Sequence, residues 1–112
     1  MNPYEDIIRD LLEECNDDYV GLAKVISDVR VSLAFSEVME PTLYVIGILL
    51  DRGVIAGQVE DNAFRIWRMP KDEILARITK EWIELGHDPT MGEIVWLTAE
   101  EGLQKKSRIK VI

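Results

Sequence analysis

The 112-residue sequence predicts one α+β domain that is rich in helices and contains a small antiparallel sheet. Its length suits a single domain, and its apolar fraction of 47% is enough for one hydrophobic core. A nearly all-apolar stretch runs from Thr42 to Leu50, and two short segments with strand character follow it as far as Trp67. This pattern predicts a buried helix, a glycine stop and two strands around a polar turn.

The apolar stretch predicts a helix that is buried on most of its surface, because none of its sides is polar. Pro41 suits the first helical turn, and Gly53 suits the left-handed position after the last one. Gly47 inside the helix indicates that a neighbouring element packs closely there. The stretch is too short and too closely flanked by charges to span a bilayer. A buried helix followed by a hairpin with the acidic tip GQVEDN is typical of a winged helix-turn-helix unit, so we expect a winged-helix-like architecture.

Apolar residues at helical spacing predict three further helices. Their expected ranges are Pro3 to Cys15, Tyr19 to about Arg30, and Pro70 to Leu85, the last one ending at Gly86.

Two alternatives stay open for the segment that follows the last of these helices. In the first, Glu93 to Leu97 is extended and joins the sheet, and a short helix begins at Thr98. In the second, one short helix runs from Met91 to Leu97, because Thr90 and Glu93 have the spacing of a capping box. The alternation in residues 108–112 is typical of an edge strand.

The charge balance is strongly acidic, with 21 acidic against 13 basic residues and a net charge of −8. Such a domain is repelled by the dense negative charge of nucleic acid and attracted to a basic protein. The single Cys15 excludes an internal disulfide framework and fits a reducing compartment. The N-terminal MNPYEDIIRDLLEE has no apolar signal core, so we expect a cytoplasmic protein that is not inserted in a membrane.

No motif in the sequence predicts catalysis or a cofactor. His87 is the single histidine, and Asp88 could orient it, but no nucleophile or second base is spaced to match. Cys15 falls on the apolar stripe of the first helix, which favours a buried structural thiol. The turn carboxylates lack the alternating oxygens of a calcium loop, and no Cys/His set suits zinc. We therefore expect a non-enzymatic protein without a cofactor.

The winged-helix architecture raises the alternative of a transcriptional regulator. A recognition helix needs polar and basic side chains, but the stretch TLYVIGILLDRG has Arg52 as its one cation. The expected wing is acidic, whereas the tail carries the basic residues Lys105, Lys106, Arg108 and Lys110. We therefore predict the topology without DNA binding, and we keep a degenerate winged-helix regulator as the second hypothesis.

Three tryptophans offer candidate contact residues. Trp82 follows the apolar stripe of its helix and is expected in the core. Trp67 and Trp96 fall in short strands that could be adjacent, where an exposed indole would suit a binding hot spot or a homodimer. The structural alternative is that both are partly buried anchors for the last helix.

The segments LLDRGVIAG, FRIW and PKDEILARITKEWIELGHDPTMGEIVWLT carry a resemblance to an uncharacterised family of small acidic bacterial proteins. The pattern EW…LG.DP..GEIVW is its most distinctive part, and the resemblance covers roughly the last two thirds of the chain. It implies a stand-alone cytoplasmic bacterial domain and no particular activity. In size and charge the chain is also similar to immunity proteins for secreted toxins.

These observations predict a protein-interaction module, of the immunity or antitoxin kind, that neutralises a basic partner such as a toxin. Its carboxylates would cover the partner's site. The residues predicted to contact the partner are Asp17, Asp18, Glu60, Asp61, Trp67, Trp96, Glu100 and Glu101.

Overall fold

The computed structural model describes residues 3–33, 37–90, 92–100 and 110–111. The helices are α1 (Pro3–Asp17), α2 (Leu22–Leu33), α3 (Met39–Asp51) and α4 (Lys71–Leu85). The strands are β1 (Val20–Gly21), β2 (Val54–Glu60), β3 (Ala63–Ile66), β4 (Trp96–Ala99) and β5 (Lys110–Val111). They form one sheet in the order β1-β4-β2-β3-β5, antiparallel except for the β3–β5 pair. The predicted α+β class is confirmed.

The elements α1, β1, α2, α3, β2 and β3 follow one another as in a winged helix-turn-helix domain. The sheet differs from a simple wing because β4 lies between β1 and β2. Trp96 of β4 pairs with Gly21 on one side and with Gly57 on the other. These three residues therefore form a row across the sheet, on the face opposite Leu97 and Ala56.

The central helix α3 begins at Met39, so Pro41 lies in its first turn, and Gly53 follows its end with a φ of 95°. Burial on most of the surface is confirmed, but Tyr44 is 53% exposed. Its ring meets the ring of Tyr4 from α1 edge to face, with centroids 4.8 Å apart. The close neighbour expected at Gly47 is α4, because a β-carbon there would lie 3.6 Å from Leu75 Cδ1.

The second helix was predicted to begin at Tyr19, and this prediction is wrong by three residues. Val20 and Gly21 form β1 instead, because they pair with Leu97 and Trp96 from a distant part of the chain. The spacing of apolar residues in the local sequence cannot reveal pairing with a distant strand. Such pairing outweighs the local preference for a helix. The remaining helix α2 starts at Leu22 and continues to Leu33.

The hairpin turn is shorter than the predicted tip of residues 57–62. Strand β2 continues to Glu60, which pairs with Ala63, and two residues make the turn. Asp61 and Asn62 have φ values of 49° and 64°. Two consecutive positive φ angles identify a type I′ turn, whose twist matches that of the flanking strands.

The segment after α4 is extended and joins the sheet, so the first of the two alternatives is confirmed in its main point. The strand starts at Trp96, later than predicted, and includes Thr98, so no helix begins at Thr98. The amide and hydroxyl of Thr90 both donate to Glu93 Oε1, over 2.7 and 2.8 Å. This capping-box pair closes a turn rather than heading a helix. The basic residues 105, 106 and 108 lie outside the described residues.

The helices pack on the sheet face that carries Val20, Ala56 and Leu97, and there they bury the core. Trp82 belongs to this core, as predicted, and Cys15 is fully buried. The hydroxyl of Thr98 donates to the carbonyl oxygen of Cys15 over 3.1 Å, which ties β4 to the end of α1. This contact fixes the first helix beside β1, where the candidate site lies.

Candidate functional site

The first helix and the turn after it hold most of the negative charge of the protein. Residues 1–18 contain seven acidic residues and one basic residue, which accounts for six of the eight net negative charges. Most of the seven are exposed, and the rest are half-buried. The seven are Glu5, Asp6, Asp10, Glu13, Glu14, Asp17 and Asp18.

A groove of about 300 Å³ lies between α1 and α2. Asp6, Asp10 and Glu14 line it from α1, because residues four apart share one face of a helix. Asp28 and Lys24 line it from α2. The groove therefore carries four carboxylates, and we call this part the acidic groove.

The cations near the acidic groove are already paired within the protein. Lys24 Nζ lies 2.7 Å from Asp28 Oδ1 and 3.6 Å from Glu14 Oε1. The hydrogen bond to Asp28 is the main reason why the pKa of Lys24 is raised above its ordinary value. Arg9 lies 3.2 Å from Asp6 and 3.7 Å from Asp10. Two cations face four carboxylates, so the groove keeps negative charge for a partner.

An apolar groove of about 500 Å³ continues from the acidic groove beside β1. The two share Glu14 and Lys24 as lining residues. The walls are formed by Tyr19, Ala23 and Trp96 together with the backbone of β1, and Asp18 stands at the rim. We call this part the anchor groove.

Two glycines position the Trp96 indole in the anchor groove. A β-carbon on Gly21 would lie 3.4 Å from Cζ3 of the indole, so the ring sits directly over this residue. A β-carbon on Gly92, whose φ is 83°, would lie 3.7 Å from Cζ2. Glycines at both positions leave room for the six-membered ring close to the backbone.

Tyr19 forms the other aromatic wall. Its ring stacks on that of Phe64, with centroids 5.3 Å apart and planes 8° apart, and it meets Trp96 edge to face at 6.5 Å. Burial, and then the charge of Asp18, raise the pKa of the Tyr19 phenol. The Tyr19 ring adds an apolar face to the groove.

The structure divides the predicted acidic patch between two places. The antiparallel register puts Asp17, Asp18 and Glu100 at the end of the sheet where β2 begins. Glu60 and Asp61 lie at the hairpin tip, at the other end of β2, about 20 Å away at the usual rise per residue. Glu101 lies outside the described residues.

The two candidate tryptophans lie on opposite faces of the sheet, not on one shared face. The amide of Trp67 donates to the carbonyl of Ala56, so Trp67 shares the core face and is 7% exposed. The guanidinium carbon of Arg77 lies 3.8 Å from the centre of its ring. Trp67 therefore anchors β3 against α4, as in the structural alternative, whereas half-buried Trp96 lines the anchor groove.

Sequence reasoning missed all four carboxylates of the acidic groove, Asp6, Asp10, Glu14 and Asp28. A signal for the first three was present, because Asp6, Asp10 and Glu14 are spaced by four residues along one helix. The part of the anchor groove formed by Ala23 and Gly21 had no such signal in the sequence, since it depends on the pairing of β1 with β4.

The arrangement around His87 does not form an acid–base pair. Oxygens of the Asp88 side chain bind Trp82 Nε1 and Arg30, and His87 Nδ1 lies 2.9 Å from the backbone oxygen of Asp88. The ring is thus not oriented by the carboxylate. Within residues 3–33, 37–90 and 92–100, no three His, Cys, Asp or Glu side chains are grouped to hold a metal ion.

Comparison with known proteins returned no relative. No protein-family model, no curated protein and no solved structure matches the chain. Among the described residues, every helix is too short or too polar to cross a bilayer.

Proposed function

We propose that this protein is a non-enzymatic interaction module that binds a basic protein partner through α1. The observation that carries the proposal is the concentration of six net negative charges in residues 1–18, beside a groove lined by four carboxylates. A surface of this kind speeds the approach of a cationic protein and disfavours acidic competitors.

The pairing inside the acidic groove supports a protein partner that supplies its own cations. Lys24 and Arg9 each bridge two carboxylates, so they hold the carboxylates in place without neutralising all of them. Exposed pairs of this kind contribute only about 0–1 kcal/mol each to stability. Their replacement by a partner's guanidinium groups would therefore cost the fold little.

An immunity or antitoxin role in the cytoplasm is the specific form of this proposal. An acidic protein of 112 residues is large enough to cover the basic site of a toxin and occupy it with carboxylates. Of the predicted contacts, Asp18 lines the anchor groove, Asp17 precedes it at the end of α1, and Glu100 lies at the same end of the sheet.

The test uses charge-neutral substitutions and a matched control. A partner is first captured from an extract of the native host with the full-length protein. The triple variant Asp6→Asn, Asp10→Asn, Glu14→Gln should then lower the association rate about tenfold at low salt, and added salt should reduce the difference. The control triple Asp72→Asn, Glu73→Gln, Glu84→Gln makes the same charge change on exposed positions of α4. Equal effects of the two triples would show that only net charge matters, and would contradict the proposal.

The order of elements favours one other candidate, a degenerate winged-helix regulator. The exposed positions of α3 and its end oppose it, because they present Glu40, Tyr44 and Asp51 with Arg52 as a cation. The tip of the β2–β3 hairpin, which would be the wing, carries Glu60 and Asp61, and these carboxylates would face the phosphates of DNA. A gel-shift assay at low salt separates the two hypotheses, since tight binding to duplex DNA that falls steeply with salt would favour the regulator.

A further inference from the structure

We infer that the anchor groove seats one aliphatic or aromatic side chain of the partner, within a segment rich in lysine or arginine. This inference rests on the proposed function, because it names the kind of segment that the same surface would bind. The occupant is thus a basic segment with a single apolar anchor.

The shape of the anchor groove supports an apolar occupant. Its walls are the rings of Tyr19 and Trp96 and the backbone of β1, and the Trp96 indole packs over Gly21. Ala23 closes one side with only a methyl group. A volume of about 500 Å³ lies within the range of pockets that hold an organic group. Aromatic walls around such a space are typical of binding hot spots.

The charges around the anchor groove define the rest of the segment. Glu14 and Asp18 stand at its rim, and Asp10 and Asp6 continue the negative row along α1. Residues four apart on a helix are separated by about 6 Å along its axis, so cations at similar intervals on the partner would meet successive carboxylates. Charge complementarity therefore selects a basic segment, and the anchor groove selects one with an apolar side chain at its end.

The position of Lys24 fits this arrangement. It lines both grooves, and its ammonium bonds to Asp28 and Glu14 within the protein. The hydrogen bond to Asp28 also raises the pKa of Lys24. Lys24 therefore marks the place where the acidic groove, which suits cations, meets the anchor groove, which suits an apolar group.

The experiment uses three labelled synthetic peptides and the full-length protein. One peptide contains lysines and glycines, the second is the same with one leucine at its end, and the third has glutamates in place of the lysines and keeps the leucine. Fluorescence anisotropy should show that the leucine tightens binding of the lysine peptide about tenfold, the gain expected from burying such a side chain. The glutamate peptide should not bind.

A variant that fills the anchor groove provides the decisive comparison. Ala23→Trp should abolish the difference in affinity between the two lysine peptides. Ala76→Trp, at an exposed position of α4, is the matched control and should preserve the difference in affinity between the two lysine peptides. Chemical-shift mapping on the unmodified protein gives a second measure that does not depend on any variant, and the leucine should shift the indole N–H of Trp96 and the amide of Gly21.

The outcomes distinguish the inference from the function on which it rests. If both lysine peptides bind equally and the acidic triple variant weakens both, the anchor groove is not used, but the proposed function stands. If the lysine peptides bind no better than the glutamate peptide, the proposed function fails as well. If the leucine shifts resonances elsewhere and leaves Trp96 unchanged, the inference is overturned.

Discussion

The indole Nε1 of Trp82 donates a hydrogen bond to Asp88 Oδ1 over 3.3 Å, which joins the buried face of α4 to the turn after it. The other oxygen of Asp88 pairs with Arg30 of α2. Replacement of Asp88 by Ala leaves the Trp82 N–H without its partner in a largely buried position. We expect a loss of about 1–3 kcal/mol in the free energy of unfolding, measured by urea denaturation.

The matched control for this prediction is Arg30→Ala. It removes only the ion pair, whose two side chains are both about half exposed, and should cost about 0–1 kcal/mol. Equal losses in the two variants would mean that the ion pair, rather than the bond to Trp82, is what Asp88 contributes.

Gly57 in β2 has no room for a side chain. A β-carbon there would lie 2.2 Å from the carbonyl oxygen of Arg65 and 2.9 Å from Cζ of Phe64. The first neighbour is backbone and cannot move without disturbing the β2–β3 pair. We expect Gly57→Ala to lower the free energy of unfolding by about 2–3 kcal/mol. Thermal and urea denaturation would measure the loss.

Gly47 in α3 is the control with the opposite expected sign. A β-carbon there would meet Leu75 Cδ1 at 3.6 Å, an ordinary contact, and the helical backbone favours alanine. Gly47→Ala should therefore raise the free energy of unfolding by about 0.5–1 kcal/mol. A loss at this position would contradict the packing between α3 and α4 described above.

Glu93 should titrate below its ordinary pKa. The amide of Thr90, and then its hydroxyl, donate to this carboxylate and stabilise its charged form. Its contribution to stability is therefore present above the ordinary pKa of glutamate and is lost as the pH falls through the lowered value. Thr90→Ala should raise the pKa part of the way, because the amide remains. Carboxyl NMR titration of both proteins measures this, and an unchanged value would refute the role of the hydroxyl.

Ile94 has a φ of 70°, a rare conformation for a β-branched residue. The amide of Val95 donates to the carbonyl of Glu93 over 2.9 Å, which makes Ile94 the centre of a γ-turn. We expect Ile94→Gly to be more stable than Ile94→Ala by about 1 kcal/mol, because both remove the side chain and only glycine relieves the backbone.

The same pair of substitutions at Ile83 is the control for Ile94. Ile83 is exposed in α4, where alanine is favoured over glycine by about 1 kcal/mol. The order of the two variants should therefore reverse between positions 94 and 83. The same order at both would argue against the strained turn. Urea denaturation of the four proteins gives the comparison.

The sequence predicted those parts of the fold that local physics controls. The bounds of α4 follow from Pro70 and Gly86, and the end of α3 follows from Gly53, because proline restricts φ before a helix and glycine permits the left-handed backbone after one. An extended segment before Thr98 was one of the two alternatives that the sequence left open, and the pairing of β4 with β1 and β2 decided between them. The predicted position and length of the turn were less accurate at the hairpin, because pairing with β3 extends β2 to Glu60.

The candidate site was only partly predictable from sequence. The sequence singled out Asp17 and Asp18 as neighbouring carboxylates after the first helix; in the structure Asp17 ends α1 and Asp18 lines the anchor groove. Trp67 and Trp96 looked equivalent, since both follow apolar residues in short strands. Pairing with Ala56 turns the first toward the core, and pairing with Gly21 and Gly57 turns the second to the opposite face.

The sequence by itself determined the acidic charge, the helices whose ends are set by proline and glycine, and the α+β class. Tertiary structure alone decided that β4 lies between β1 and β2, and this placement puts Trp96 over Gly21 beside α1. The reason is physical, because helix ends and charge depend on neighbouring residues, whereas a groove between strands and helices depends on contacts between residues far apart in the chain.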